Sequence, residues 1–298
     1  LNNVEITGKT NVYGIIGCPI KHSLSPVFQA YFAEQQGLDA VYVPYHVEQV
    51  HLKNAIDGLA ALGVQGVNVT VPYKEAVLPY VQADKDVQCI GAANTLTLAD
   101  GGWQASNTDW QGVASVFAGT GLDLKNEHIL LFGAGGTARA VLHAAYKEGV
   151  ASVAICNRSP ERVEQLVKHA KQHYPSMDCY MLAWQQDEVT SMCHKSPMVI
   201  NTTSIGLGTS DKFPFEMSGD GWLMDAVYKP GGKTAFIQAA NLSERSMTDG
   251  LPMLVAQGAK SFTNWHPQQI PDILDALTWM ETKLKRCASV FPGWEDCK

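Results

Sequence analysis

Two parts of this sequence have residue types and spacing suited to moving a hydride and a proton. The first is the run from His128 to Ala138, an apolar stretch ending in Gly133-Ala134-Gly135-Gly136-Thr137-Ala138. It reads as strand, glycine turn and helix, and it fits the pattern G-x-G-x-x-A. Gly133 permits the tight turn, while Gly135 and Gly136 let backbone approach a pyrophosphate whose charge sits on the helix N-terminus. The second part is Lys74, which follows Asn68 and Thr70 on one side of a strand-like segment. An ammonium there can give a proton to a developing alkoxide or offset its charge, as reduction of a ketone requires. The other reading of Lys74, a solvated surface residue, stays open at this stage.

The strand after the glycine turn tells one nicotinamide cofactor from the other. A site for NAD usually places Asp or Glu at the end of that strand, to accept from the ribose 2′-hydroxyl. Here Val153 to Cys156 runs into Asn157-Arg158-Ser159, with no carboxylate at that point. Arg158 can make charge-assisted bonds to a 2′-phosphate, and Arg162 lies one helical turn further on, so NADP is expected. The plainer alternative makes Arg158 and Arg162 ordinary surface charges. Glu161 sits in the helix start, where acids are common for dipole reasons.

Two further polar clusters precede the glycine turn. In His22-Ser23-Leu24-Ser25-Pro26, alternate serines in an extended segment point the same way and could both donate to one carboxylate; equally, Ser25 could cap a helix and Ser23 be solvated. Ala93-Asn94-Thr95 is followed by Ser106-Asn107-Thr108-Asp109, so that Asn-Thr recurs in two adjacent strand-like segments. Asp109 is either a turn residue or the partner that orients Lys74. Such a carboxylate would raise the Lys pKa, which suits a proton donor and electrostatic anchor better than a free base.

The elements that must position these residues alternate between strand and helix, which argues for an α/β architecture with parallel sheets. Val12–Ile16, Val41–Val47 and Val64–Val71 are expected strands, with helices from Ser25 to about Gln36 and from about Val50 to Leu62. Ala92–Leu98 and Trp103–Ser106 flank Asp100-Gly101 as a hairpin. His128–Phe132, Ser152–Cys156, Tyr180–Ala183, Met198–Asn201 and Trp222–Ala226 are expected strands of one doubly wound domain, with helices near Thr137–Glu148 and Pro160–His173. The end is helical over Thr234–Leu242, Pro252–Trp265 and Ile270–Leu284. The domain boundary is expected near Trp110 to Leu124, where the chain moves from an irregular stretch to a fresh β-α unit. Residues after Arg286 read as a loose tail.

Composition narrows the partners. The 298 residues carry 22 Lys and Arg against 29 Asp and Glu, a net formal charge of −7, and no basic block is present. Nucleic acid and anionic membranes are therefore poor partners, and a small-molecule substrate fits better. Seven scattered cysteines with no Cys-x-x-Cys pair are not a disulfide framework, and they suit a reducing, cytoplasmic setting. No apolar run reaches membrane-spanning length, and the His and Cys show no metal-ligand spacing. The first residue is Leu1 rather than Met, which leaves room for a longer polypeptide.

Taken together, the motifs resemble those of the shikimate/quinate dehydrogenase family. Gly17 to Pro26 is similar to the family's substrate loop, Asn68 to Glu75 to its catalytic strand and lysine, and Gly91 to Thr95 and Asn107 to Asp109 to further segments. Gly133 to Arg139, Asn157 to Arg162 and Asp249 to Gln257 complete seven ordered matches over about residues 12 to 285. The resemblance implies NADPH-dependent reduction of 3-dehydroshikimate to shikimate, in aromatic amino-acid biosynthesis. It makes Lys74 the catalytic residue and Asp109 its partner. Ser23, Ser25, Asn68, Thr70, Asn94, Tyr228 and Gln257 would hold shikimate. Gly133, Ala134, Gly135, Gly136, Thr137, Asn157, Arg158, Arg162 and Gly250 would hold NADP, with Ala226 near the nicotinamide. It also implies an α/β substrate-binding domain of residues 1–110 plus 250–298, a Rossmann NADP-binding domain of residues 111–249, a cleft between them, and a monomer or homodimer.

Three positions depart from the family's commonest pattern. Trp110 stands where many relatives carry Gly, Ala226 where some carry Met, and Pro252 where others carry Gly. The stretch after Arg286 has no recognised counterpart. The nearest rival is a quinate or dual quinate/shikimate dehydrogenase, which shares these motifs. A non-catalytic dinucleotide-binding regulator is the rival from another class, and the intact Lys74 and Asp109 argue against it.

Overall fold

The computed structural model describes residues 5–208, 211–240 and 244–286. Leu1 and the stretch after Arg286 lie outside the described residues. The chain divides into two compact units. The first holds the residues up to Thr108 and returns for Val255–Ala276. The second holds Asp109–Leu254 and the described residues from Leu277.

In the first unit, strand β1 (Asn11–Gly17) pairs in parallel with β2 (Ala40–His46) on one side and β3 (Gly66–Val69) on the other. The central position buries β1 from Tyr13 onward and all four residues of β3. Helix α1 (Ser25–Gln35) carries Pro26 in its first turn, where a missing N–H costs nothing, and the chain reverses after it at Gly37, φ +64°. Helix α2 (Leu52–Ala61) buries Leu52, Ile56 and Leu59, one stripe at helical spacing. Strand β4 (Gln82–Ala83) leads into α3 (Lys85–Ile90). The Asp84 carboxylate caps α3 by accepting from the Val87 N–H at 2.7 Å, and Gly91 ends it at φ +72°.

The expected hairpin forms from β5 (Thr95–Ala99) and β6 (Gly102–Ser106). The sheet order is β2-β1-β3-β5-β6-β4, with β3/β5 and β5/β6 antiparallel, so this sheet is mixed rather than parallel throughout. Ile16, Ile56, Val67, Val69, Tyr73 and Leu96 lie in its main core.

The second unit opens with α4 (Asp109–Thr120), where the sequence placed the domain boundary and named no helix. Gly112, Gly119 and three β-branched residues make this segment a weak helix former by propensity alone. Val113, Val116, Phe117 and Thr120 nevertheless fall on one buried face, and burial of that face overrides propensity. The sheet that follows is built from β7 (His128–Phe132), β8 (Ser152–Cys156), β9 (Asp178–Leu182), β10 (Met198–Asn201), β11 (Trp222–Asp225) and β12 (Ser246–Thr248). Its order, β12-β11-β10-β7-β8-β9, is parallel throughout. From β7 the chain winds outward to β9, then returns to the other side of β7 at β10. This is the doubly wound Rossmann arrangement, with its switch point between β7 and β10.

Helices α5 (Gly136–Lys147), α6 (Pro160–His173) and α7 (Gln186–Cys193) connect these strands. The helix expected over Thr234–Leu242 is the short α8 (Ala235–Gln238), capped by the Thr234 hydroxyl, which accepts from the Ile237 N–H at 3.3 Å. Residues 241–243 lie outside the described residues.

Helices α9 (Leu251–Trp265) and α10 (Ile273–Leu284) close the chain. Expected to return wholly to the first unit, this segment divides instead, and its last described residues group with the second. The physical tie is Arg286, whose guanidinium is bound to Asp249 within the second unit. No helix among the described residues is long and apolar enough to cross a membrane.

Candidate functional site

In the first unit the C-terminal ends of β1 and β3 carry the polar residues picked out from sequence. Strand β3 stops at Val69, two residues earlier than expected. Thr70 then leaves the sheet, held by its N–H on the Ile16 carbonyl at 3.0 Å. Lys74 lies in the turn that follows. Its side chain is half-buried, and its carbonyl accepts from the Ala93 N–H at 2.8 Å. That bond ties the lysine's backbone to the segment that carries Asn94.

Asn68 and Asn94 stand in one buried hydrogen-bond cluster. The Asn68 Nδ2 amide faces the Asn94 carbonyl at 3.1 Å, Thr95 Oγ1 at 3.1 Å and Ser261 Oγ at 2.9 Å. Its Oδ1 accepts from the Tyr42 hydroxyl at 2.7 Å. Asn94 donates from Nδ2 to Thr108 Oγ1 at 2.9 Å and to Gln257 Oε1 at 3.1 Å. Its Oδ1 accepts the Thr108 N–H at 2.7 Å and the Thr95 hydroxyl at 3.0 Å. Every member is nine-tenths or more buried except Tyr42, which is half-buried. The polar atoms are satisfied by one another, so the cluster is rigid rather than costly.

The serine pair departs from the capping reading of the sequence. Ser25 is the first helical residue of α1, with Leu24 in the cap position. The Ser23 hydroxyl oxygen accepts the Ser25 N–H at 3.2 Å, so Ser23 supplies the local turn that Ser25 was expected to cap. Ser25 is buried, and its hydroxyl bonds to Tyr42. Burial pushes the Tyr42 phenol well above its ordinary pKa, and the Ser25 contact offsets this in part. Ser23, Ser25, Asn68, Asn94 and Gln257 thus belong to one unit and, apart from Ser23, to one connected network.

Sequence reasoning missed Tyr42 and Ser261, and it named Thr95 and Thr108 only as neighbours of the asparagines. The signal for Ser261 was its place four residues after Gln257, on the same face of α9.

In the second unit, the glycine turn leaves β7 at the switch point. Gly133 adopts φ +111°, which an L side chain rarely takes, and a Cβ there would run into Thr202. A Cβ on Gly135 would meet nothing within 4 Å, so the space above the turn is open. Helix α5 begins at Gly136, and its first intrahelical bond runs from the Arg139 N–H to the Gly135 carbonyl at 3.1 Å. The N–H groups of Gly136, Thr137 and Ala138 come before that bond, as the donors of an anion site do. Ala134 completes the turn and is half-buried.

At the end of β8, Asn157 donates from Nδ2 to the Ser159 carbonyl at 3.1 Å, which fixes the bend. Arg158 and Arg162 are both exposed next to it. The Ser159 hydroxyl donates to the Glu161 carboxylate at 2.9 Å. Backbone and Ser159 hydrogen bonds hold that carboxyl below its ordinary pKa, so Glu161 serves the helix start.

Ala226 and Gly250 also come together. A Cβ on Gly250 would collide with the Ala226 carbonyl, so only glycine permits the approach. The Gly250 N–H donates to the Val227 carbonyl at 3.0 Å, and the Ala226 N–H to the Asn201 carbonyl at 2.8 Å. Tyr228 follows, half-buried. These residues lie beyond the C-terminal ends of β10, β11 and β12, the edge where open α/β sheets bind ligands.

Asp109 starts α4 and is buried. The Trp110 ring packs edge-on against His143 at 5.2 Å between centroids, with the Lys147 ammonium 5.8 Å from the ring centre. This unusual tryptophan is engaged with α5 of its own unit.

Residues 15–96 match the family model described as the shikimate dehydrogenase substrate binding domain, and residues 115–206 match the one described as shikimate / quinate 5-dehydrogenase. A curated shikimate dehydrogenase (NADP(+)) of Aquifex aeolicus is 37% identical over 270 residues, covering 89% of this chain and 95% of the relative. A solved shikimate dehydrogenase in complex with NADP+ superposes with a TM-score of 0.82 at 32% identity, covering 94% of this chain and 96% of the other. A shikimate 5-dehydrogenase of Listeria monocytogenes, solved with shikimate and NAD, gives a TM-score of 0.81 at 27% identity, covering 94% and 98%.

Proposed function

The chain belongs to the shikimate dehydrogenase family, and we propose that it catalyses the reversible, NADP-dependent reduction of 3-dehydroshikimate to shikimate. The observation that carries this reading is the buried cluster of Asn68, Asn94, Thr108 and Gln257, tied by backbone to Lys74. A rigid array of amides and hydroxyls suits a small polyhydroxylated acid.

The first unit acts as the substrate-binding domain and the second as the NADP-binding domain. Ser23, Ser25, Asn68, Thr70, Asn94 and Gln257, with Tyr228 of the second unit, are the proposed substrate residues. When bound, NADPH supplies the hydride that reaches the carbonyl carbon. Lys74 gives its proton to the carbonyl oxygen as the C–O double bond opens, and takes it back in the reverse direction. Asp109 is its proposed carboxylate partner, orienting the ammonium.

The first turn of α5 and residues Gly133 to Thr137 hold the pyrophosphate. Asn157, Arg158 and Arg162 take the adenosine 2′-phosphate, and Ala226 and Gly250 flank the nicotinamide. The absence of a carboxylate at the end of β8 supports NADP over NAD. The acidic net charge supports small-molecule partners over nucleic acid or anionic membranes, and the scattered cysteines suit a cytoplasmic enzyme; a monomer or homodimer is proposed from the family resemblance.

Initial rates with shikimate and with quinate, each with NADP and with NAD, test the reading. The highest kcat/KM is expected for shikimate with NADP. A higher value for quinate, or for NAD, would overturn the corresponding part.

A further inference from the structure

Two buried side chains outside the proposed ligand set join the glycine turn to the residues read as nicotinamide neighbours. They are Asn201 at the end of β10 and Asp225 at the end of β11, both at 0% exposure. The link starts at the Phe132 carbonyl, just before Gly133, which accepts the Thr202 N–H at 2.7 Å and the Thr202 hydroxyl at 2.8 Å. It continues at Asn201, whose carbonyl accepts the Ala226 N–H at 2.8 Å.

A backbone group settles the direction of the Asn201 amide. The Thr203 N–H points at one end of it at 3.0 Å, joined by the Thr203 hydroxyl at 2.7 Å, so that end is Oδ1. Nδ2 therefore donates to Asp225 Oδ1, at 2.8 Å. The same carboxylate oxygen accepts the Val227 N–H at 3.0 Å, and the Val227 carbonyl accepts the Gly250 N–H at 3.0 Å.

One oxygen of Asp225 thus ties the residue after Ala226 to the end of β10. Among the described residues, Asp225 is the one acceptor of the Val227 N–H, and Val227 is buried at 5% exposure. Without the carboxylate, the Val227 N–H and Asn201 Nδ2 are two donors left in the core with no acceptor, an arrangement folded proteins avoid. They regain partners only if this segment moves. The Ala226 carbonyl lies so close to Gly250 that a methyl group does not fit between them, so a shift of Val227 passes to both.

We propose that Asp225 is a positioning residue for hydride transfer. By accepting from Val227 and Asn201, it fixes Ala226 and Gly250 relative to the glycine turn, and with them the place of the nicotinamide ring. This deepens, and rests on, the reading of Ala226 and Gly250 as nicotinamide neighbours. The feature required is an acceptor oxygen rather than a charge, so an amide oxygen serves equally.

The test is a single turnover by stopped flow: the whole enzyme, saturated with NADPH, is mixed with excess 3-dehydroshikimate, and the rate is expressed per bound NADPH. A variant that is merely unstable has fewer sites but the same rate per bound cofactor. Asp225→Ala is expected to slow that rate about 10- to 100-fold, the scale of a misplacement on the order of 1 Å. Its NADPH affinity should change little, because the phosphates are held elsewhere. Asp225→Asn, which keeps the acceptor, is expected to react at the wild-type rate. Asp225→Ser, with one short hydroxyl, is expected to fall between Ala and wild type, and it serves if the Ala variant fails to fold. Ala226→Phe places a ring where the nicotinamide is read to lie, and is expected to lower the rate or the NADPH affinity.

A wild-type rate per bound NADPH in Asp225→Ala or Asp225→Ser, with Ala226→Phe impaired, overturns the inference and leaves the nicotinamide reading intact. An equal slowing in Asp225→Asn and Asp225→Ala shows that the charge matters rather than the acceptor, and also overturns it. An Ala226→Phe variant with wild-type rate and NADPH affinity overturns the nicotinamide reading and the inference with it.

Discussion

The guanidinium of Arg286 grips the carboxylate of Asp249 with two parallel hydrogen bonds, Nη1 to Oδ2 at 2.7 Å and Nη2 to Oδ1 at 2.9 Å. Both side chains are nearly out of contact with water, at 7% and 0% exposure. Asp249 also accepts the Leu251 N–H at 3.2 Å, at the start of α9. One carboxylate thus anchors the end of α10 and caps α9, immediately before Gly250.

Breaking this pair from one side should be costly. Arg286→Met leaves the Asp249 charge buried without its partner, a change that typically costs about 3–5 kcal/mol. Thermal unfolding should show a clear drop in Tm. Because Gly250 follows Asp249, the KM for NADP should also rise. The double variant Arg286→Met/Asp249→Asn should recover part of the stability, since no unpaired charge remains. A Tm for the single variant equal to wild type would mean that the bidentate pair contributes nothing.

The assignment of Lys74 carries the mechanism, and Lys74→Ala tests it. Turnover is expected to fall by about two to four orders of magnitude, the range for loss of a positioned acid–base group. NADP binding, measured by fluorescence titration of the free enzyme, should be retained, because the glycine turn belongs to the other unit. Turnover near the wild-type level would remove Lys74 from the chemistry.

The choice of cofactor rests on Arg158. Arg158→Ala should lower kcat/KM for NADP by about 10- to 100-fold, equivalent to the 1.5–3 kcal/mol of hydrogen bonds to a charged group. The value for NAD should stay nearly constant, since NAD has no phosphate at that place. Equal losses with both cofactors would show that Arg158 supports the fold of the bend instead of reading the phosphate.

The second unit was largely legible in the sequence. Ser152–Cys156, Pro160–His173 and Met198–Asn201 form as expected because each is marked locally, the strands by short apolar runs and the helix by Pro at its start. Helix α4 was not legible, because its glycines and β-branched residues speak against a helix until the buried face it presents is known.

The candidate site divides in the same way. The glycine turn is a contiguous motif and could be read directly. Ser261 was not picked out, because its partner Asn68 lies 193 residues away and its place four residues after Gln257 tells nothing until Gln257 is seen to face the cluster. The cap of α1 was not legible, because a serine before proline suits the cap position as well as the first helical turn, and α1 begins at Ser25 itself.

A buried carboxyl gives the second unit a pH-dependent stability. Asp225 ends β11 and accepts from Asn201 Nδ2 at 2.8 Å and from the Val227 N–H at 3.0 Å. Burial pushes its pKa up to about 7, against the pull of contacts from Thr234, Val227 and Asn201 and with a further push from Asp249. The folded state therefore holds a proton that the unfolded chain releases near pH 4, the ordinary carboxyl value. This contribution is complete below about pH 4 and is lost as pH rises towards 7. Asp225→Asn keeps both accepted bonds on its amide oxygen and removes the charge. The variant should be more stable than wild type at pH 8, by up to a few kcal/mol at about 1.4 kcal/mol per pKa unit. Its urea midpoint should lose the decline between pH 4 and 7. A parallel pH profile for the two proteins would show that Asp225 titrates normally in the fold.

Gly133 is where fold and cofactor binding make the same demand. Its φ of +111° is strained for any L side chain, and a Cβ there would strike Thr202, whose hydroxyl is held by the Phe132 carbonyl at 2.8 Å. Gly133→Ala must either strain the backbone, at about 1–3 kcal/mol, or open the turn and displace the first N–H groups of α5. Relaxation by the second route is expected, because the space above Gly135 is open while Thr202 is fixed. The KM for NADP should then rise strongly, with only a modest fall in Tm and little change in shikimate binding by calorimetry. A large fall in Tm with the KM for NADP preserved would show that the turn holds its shape and takes the strain instead.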